Sequence, residues 1–102
     1  METIQINRRI EIYKKMLKHY EEESDIEFYN EFGMLDYGMC LYLINYVDGF
    51  EDCDTSDEIM ELVPEIEAQK PIGVFGWWWH KNEREPRINA IKEAIKMAER
   101  NL

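Results

Sequence analysis

The sequence predicts a mainly α-helical single domain over residues 1–102, with about four helices and a short extended aromatic segment before the last helix. Two segments, one near each end, repeat apolar residues at steps of three and four, the spacing of one face of an amphipathic helix. The apolar share of 45% is high enough for a buried core despite the many charged residues. These observations predict a folded domain.

The first helix is predicted from about Thr3 to Glu23. Its apolar residues follow the helical spacing and form one stripe: Ile6, Ile10, Tyr13, Leu17 and Tyr20. A second helix is predicted from Leu35 to Val47. This segment is apolar on more than one side, which is typical of a buried helix. A buried strand is the alternative, because the run Leu-Tyr-Leu-Ile-Asn-Tyr-Val also suits a sheet, but the length of the segment favours a helix.

A polar turn containing Gly49 is predicted between Asp48 and Asp54. The four residues 55–58, Thr-Ser-Asp-Glu, have the pattern of a capping box and predict the start of a third helix. That helix carries an apolar set, and Pro64 is expected to end or kink it because proline lacks a backbone donor. The apolar residues of this set are Ile59, Leu62, Val63 and Ile66.

The segment 72–79 combines two glycines with bulky residues and predicts a short extended stretch or a loop. Pro86 suits the first turn of a last helix. The apolar residues of this helix are Ile88, Ile91, Ile95, Ala98 and Leu102. We expect the two terminal helices to flank the buried second helix.

The acidic residues are concentrated in the middle of the chain. Sixteen of the 22 lie between Glu21 and Glu67, and no Lys or Arg occurs from Glu21 to Gln69. One interpretation is a solvated acidic face that pairs internally with the basic terminal helices. Another is a surface for a basic partner, such as the Lys- and Arg-lined groove of a nucleic-acid-binding protein. Cation binding is a third. Direct binding to nucleic acid is disfavoured by phosphate repulsion.

If the acidic segment binds a partner, its contact residues are expected around the third helix: Glu51, Asp52, Asp54, Asp57, Glu58 and Glu61. An aromatic and basic cluster provides the alternative site, for a small nucleotide-like ligand. There, tryptophan would stack on a flat ring and a cation would meet an anionic group. The residues of that cluster are Trp77, Trp78, Trp79, Lys81, Arg84 and Arg87. The tryptophans also suit a structural anchor or an exposed contact with a protein partner.

Familiar catalytic and metal-binding patterns are missing. The possible metal ligands His19, Cys40, Cys53 and His80 lack paired spacing. Residues 52–57 only superficially resemble a calcium loop, and no phosphate-binding glycine loop occurs. We therefore predict a protein that is not an enzyme and uses no cofactor or metal. The absence of a signal-like start and of a membrane-length apolar run predicts an intracellular protein with reduced cysteines and no membrane partner.

Four short motifs resemble a pattern in small uncharacterised proteins of tailed bacteriophages. In order, they are Tyr37-Gly38-Met39-Cys40-Leu41-Tyr42-Leu43, Lys70-Pro71, Gly76-Trp77-Trp78-Trp79, and Pro86-Arg87-Ile88 at the start of a last helix. The resemblance covers about half the chain, which departs from it at Trp79-His80, where those proteins often have Phe-Pro. It implies a viral setting in the host cytoplasm and brings no activity. Small acidic phage proteins are frequently inhibitors of host or defence nucleases, and some imitate the charge of DNA. By analogy with this class, we expect an anti-CRISPR-like inhibitor, with DNA mimicry as one way to act.

Our function prediction is therefore a non-catalytic acidic phage protein that binds and inhibits a basic host protein. The predicted target is a defence enzyme that handles nucleic acid. Small-ligand binding through the aromatic cluster is the alternative. A self-associating assembly factor, including a dimer, is a third possibility because both terminal helices offer surfaces.

Overall fold

The computed structural model of the protein describes residues 4–22, 37–69 and 84–102. Over these ranges the secondary structure consists of helices, without strands, which confirms the predicted mainly α fold. The helices are α1 (Ile6–Glu22), α2 (Tyr37–Tyr46), α3 (Ser56–Glu61), α4 (Pro64–Glu67) and α5 (Arg84–Arg100). The predicted extended segment 72–79 lies outside the described residues.

The terminal helices α1 and α5 pack directly against each other and form the most extensive contact between described elements. The expectation that they flank the second helix is therefore wrong. The reason lies in α5, where Ala90, Ala94 and Ala98 recur every fourth residue and are all buried. Such small side chains allow a neighbouring helix to approach closely. From α1, the aligned side chains of Ile12, Met16 and Tyr20 are completely buried.

The apolar stripes predicted for the two terminal helices lie mostly on buried faces, but the stripes and the buried faces do not contain the same residues. In α1, Ile12 and Met16 join the buried face, while Ile6 and Leu17 are half-buried. At the end of α5, Leu102 is 69% exposed. The helix ends at Arg100, so Leu102 no longer follows the helical face to which the spacing assigned it.

Helix α2 is fully buried along one face and partly buried against the core at Cys40, Tyr42 and Ile44, so it is less enclosed than expected. Met39, Leu43 and Val47 point into the core at steps of four. Leu41 is 40% exposed and Tyr46 is 78% exposed. Residues Tyr37–Tyr46 form an α-helix, which confirms the predicted helix in this segment over the alternative of a buried strand.

A turn after α2 reverses the chain at Gly49, whose φ is +107°. A side chain there would be strained, and its Cβ would come within 3.3 Å of Ile4 Cδ1. Farther along, Pro64 divides the predicted third helix in two: α3 ends at Glu61, and Pro64 occupies the first turn of α4. The four apolar residues assigned to this region are all buried, namely Ile59, Leu62, Val63 and Ile66.

Both cysteines are free thiols, with Cys53 buried and Cys40 half-buried against the core. None of the helices in the described part of the chain has the length and apolar character that crossing a membrane requires.

Candidate functional site

The six acidic residues singled out from the sequence lie on the turn before α3 and on α3 itself. We call Glu51, Asp52, Asp54, Asp57, Glu58 and Glu61 the acidic surface. Five of them are exposed and Glu58 is half-buried. The structure therefore places the predicted partner-binding residues at the protein surface.

Buried side chains between the carboxylates hold this surface in place. Phe50, Cys53 and Ile59 alternate with the acidic residues along the chain and are at most 4% exposed. Burying an apolar side chain of this size contributes on the order of 1.5–3 kcal/mol. The turn and α3 are thus fixed to the core, which leaves their carboxylates facing solvent in a defined arrangement.

Four of the carboxylates surround the buried Cys53 thiol. Burial raises the pKa of Cys53, and the negative charges of Glu58, Asp52, Asp54 and Glu51 raise it further. Both effects favour the neutral thiol, so Cys53 lacks the lowered pKa of a reactive cysteine. The remaining two members, Asp57 and Glu61, are one turn apart on α3.

Local hydrogen bonds orient two members of the acidic surface. The Gly49 backbone N–H donates to a carboxylate oxygen of Glu51 at 2.6 Å. Hydrogen bonds from its own N–H and that of Gly49 hold the pKa of Glu51 below its usual value. Glu51 therefore remains charged to lower pH than a free glutamate.

The predicted capping box is present in a modified form. The Glu58 N–H donates to the Thr55 hydroxyl oxygen at 3.2 Å, as expected for an N-cap. The Glu58 carboxylate, however, accepts from the Thr55 hydroxyl at 3.3 Å, where the usual box has it accept from the backbone N–H. Asp57 and Glu58 also lie in the first turn of α3, where the helix dipole favours negative charge.

No lysine or arginine of the described ranges forms a salt bridge with the acidic surface. The ion pairs found there join Arg8 to Glu11, Arg9 to Glu65, Lys18 to Glu22, and Arg100 to Glu93. Of these, only the pair of Arg9 and Glu65 links the acidic segment to a basic terminal helix across elements. The internal pairing considered from the sequence thus occurs at Glu65, and within the described ranges it does not extend to the acidic surface.

Glu65 has a structural role. It is 7% exposed, and both of its carboxylate oxygens accept hydrogen bonds from Arg9 at 2.8 Å. The Tyr13 hydroxyl donates to the same carboxylate at 2.7 Å, and Arg9 also bonds to the Ile4 carbonyl. Burial favours a higher pKa for Glu65, but the bonds from Arg9 and Tyr13 outweigh it, and the net pKa is lowered. The charged pair joins α1 to α4.

The alternative aromatic and basic site cannot be assembled from the described residues. Trp77, Trp78, Trp79 and Lys81 lie outside them, and Arg84 begins α5. Arg87 is only 2% exposed, on the face of α5 that carries Ala90 and Ala94. Its side chain is therefore directed into the protein, whereas binding an external anion requires an accessible guanidinium.

Sequence reasoning missed an aromatic ladder between α1 and α2. The rings of His19 and Tyr42 are stacked, with centroids 4.3 Å apart and planes 9° from parallel. The ring of Tyr46 follows, 6.0 Å from that of Tyr42 and tilted by 33°. The spacing of Tyr42 and Tyr46, four residues apart on one helix, was the available signal. The stacking of His19 on Tyr42 joins two different helices and is visible only in the tertiary structure.

Two other features give less support to a functional site. A shallow open groove beside α5 is lined by Glu21, Glu85, Ile88, Asn89 and Lys92, a mixture of charges without a nucleophile. Among the described residues, no group of three His, Cys, Asp or Glu side chains is placed to hold a metal ion.

The fold and site together define a small helical protein with an acidic surface that has no counterion among the described residues. Comparison of the chain with protein-family models, with curated proteins and with solved structures found no match.

Proposed function

We propose that the chain is a non-catalytic binding protein whose acidic surface occupies a basic surface on a host protein and inhibits it. The proposed target is a nucleic-acid-handling defence enzyme in the host cytoplasm. Its Lys- and Arg-lined groove would receive carboxylates in place of phosphates. The resemblance to small phage proteins supports a target in the host cytoplasm. The acidic surface supports a target with a basic surface.

The observation that carries this proposal is that five exposed carboxylates and the half-buried one of Glu58 have no described counterion, on a segment fixed to the core. Like charges held together cost stability, because each repels its neighbours. Salt bridges to the basic terminal helices would relieve that repulsion, and Glu65 has one. Charges that remain uncompensated are best suited to steering and binding a positive partner.

A pull-down from bacterial host lysate, at low and at moderate salt, tests the proposal. The tagged wild-type chain should retain a stoichiometric basic protein at low salt and lose it as salt screens the charges. The triple variant Asp52→Lys, Asp54→Lys, Glu61→Lys should not retain it. These three residues make no described hydrogen bond, so their replacement should leave the fold intact. The retained protein is then assayed for nucleic-acid binding or cleavage with and without the chain.

A matched control reverses the same number of charges elsewhere. Glu21→Lys, Glu85→Lys, Glu99→Lys changes exposed residues on α1 and α5 and gives the same net charge as the test variant. It should retain the partner at close to the wild-type level. Equal loss in both variants would indicate a response to net charge alone, and retention indifferent to salt and to both variants would refute the proposal.

A further inference from the structure

The outer face of α2 carries two of the large hydrophobic side chains that are exposed among the described residues, Leu41 and Tyr46. Leu41, Asn45 and Tyr46 face solvent on this helix, and Tyr42 is half-buried beside them. The opposite face already supplies the core with Met39, Leu43 and Val47. Leu41 and Tyr46 therefore lie outside the core, while Tyr42 packs partly against it.

The aromatic ladder makes this face ordered as well as exposed. Tyr42 is held between the rings of His19 and Tyr46. Tyr46, at the outer end, keeps 78% of its surface exposed. A tyrosine on a helix has few rotatable bonds, so it loses little conformational entropy when a partner covers it, and such residues are enriched at binding hot spots.

Charge indicates which partner fits. Tyr46 is followed directly by the turn that bears Asp48, Glu51 and Asp52, all exposed. These carboxylates attract a basic partner at the outer end of the ladder.

We propose that Tyr46 is the aromatic anchor of the interface and receives an arginine side chain of the basic partner. The planar guanidinium stacks on an aromatic ring and still donates hydrogen bonds to a carboxylate at its edge, which the compact ammonium of lysine does less well. Asp48 and Glu51 are the carboxylates closest in sequence to the ring. This inference rests on the proposed function and specifies the chemistry of its partner.

Synthetic peptides of nine arginines and of nine lysines serve as probes, compared by calorimetric titration at low salt. Wild type should bind the arginine peptide about fivefold more tightly than the lysine peptide, the ratio expected from one exposed cation–π contact. Tyr46→Ala should bind both peptides with the affinity of wild type for lysine. Tyr46→Phe should keep the arginine preference. Leu102→Ala, which removes another exposed apolar side chain, should behave as wild type.

The outcomes separate this inference from the proposed function. If both peptides bind equally to wild type, or the arginine preference persists in Tyr46→Ala, the anchor role is refuted while the acidic surface remains a binding site. If neither peptide binds, both proposals fail. Sedimentation of the free protein adds a second check, because a dimer that Tyr46→Ala dissociates would show that a second copy covers this face.

Discussion

At the scale of single residues, the most consequential contact is the buried ion pair of Arg9 and Glu65. Both side chains are largely inaccessible, with 12% and 8% of their surfaces exposed. Removing charges from water is costly, and the pair tolerates it because Arg9 binds both carboxylate oxygens and Tyr13 adds a third hydrogen bond. Removing one residue of the pair should therefore lower the free energy of unfolding more than replacing both charged residues together.

We predict that Arg9→Met lowers the free energy of unfolding by about 3 kcal/mol, because it leaves a buried carboxylate without its cation. Adding Glu65→Gln should restore part of this loss, since the neutral amide still accepts the Tyr13 hydrogen bond. Urea unfolding of wild type, both single variants and the double variant measures the coupling. Strictly additive effects would show that the two residues do not act as a pair.

The same contact predicts a dependence on pH. The pKa of Glu65 is lower in the folded protein than its ordinary value of 4.5. Its contribution to stability is therefore complete above about pH 4.5 and is lost as the pH falls through the lowered pKa. The difference in unfolding free energy between wild type and Glu65→Gln should shrink over that range.

Denaturant unfolding at a series of pH values gives this difference directly. Leu102→Ala, which lacks a titratable change, serves as the control and should differ from wild type by a constant amount. A gap between wild type and Glu65→Gln that widens on acidification would mean that burial outweighs the hydrogen bonds from Arg9 and Tyr13.

At the scale of elements, α3 is short and depends on its ends. It has six residues, too few to be stable by propensity alone. The Thr55 cap and the buried Ile59 and Met60 hold it, while Pro64 directs the next helix. Because α3 carries three members of the acidic surface, its cap also determines how their carboxylates are presented.

Thr55→Ala should destabilise the protein by about 1 kcal/mol, the usual effect of losing an N-cap side chain. Faster amide hydrogen exchange should be confined mainly to the first turn of α3, where the Glu58 N–H loses its acceptor. Thr55→Ser retains a hydroxyl and should exchange nearly as slowly as wild type. Unchanged exchange in Thr55→Ala would mean that packing alone maintains the start of this helix.

At the scale of the whole molecule, charge is segregated along the chain. The net charge is −10, and the acidic excess lies between two mildly basic terminal regions. In the described part, the basic helix α1 compensates Glu65 but leaves the acidic surface without counterions. Such a distribution favours attraction to a basic partner over stability of the isolated chain.

This arrangement predicts a gain in stability when the surface is neutralised. The variant Asp52→Lys, Asp54→Lys, Glu61→Lys should be at least as stable as wild type at low salt, because it relieves repulsion among the carboxylates. Added salt should raise the melting temperature of wild type more than that of the variant. A clear loss of stability in the variant would assign these carboxylates a structural role and weaken the proposed function.

The sequence alone was sufficient to predict the helical fold class and most of the helices. The spacing of apolar residues located α1 and α5, and the pattern at 55–58 located the start of α3, because these signals arise from neighbours within one or two turns. The six candidate contact residues remain a prediction as a binding site, and the structure adds that five of them are exposed.

Only the tertiary structure decided which acidic residue is internal and which face of α2 is external. Glu65 differs from the other acids of its segment because it meets Arg9, which is 56 positions away in the chain. Helix α2 is apolar nearly all round, so its sequence contains no periodic signal to distinguish Leu43 from Tyr46. Both outcomes depend on contacts between distant segments, and residue spacing along the chain does not encode those contacts.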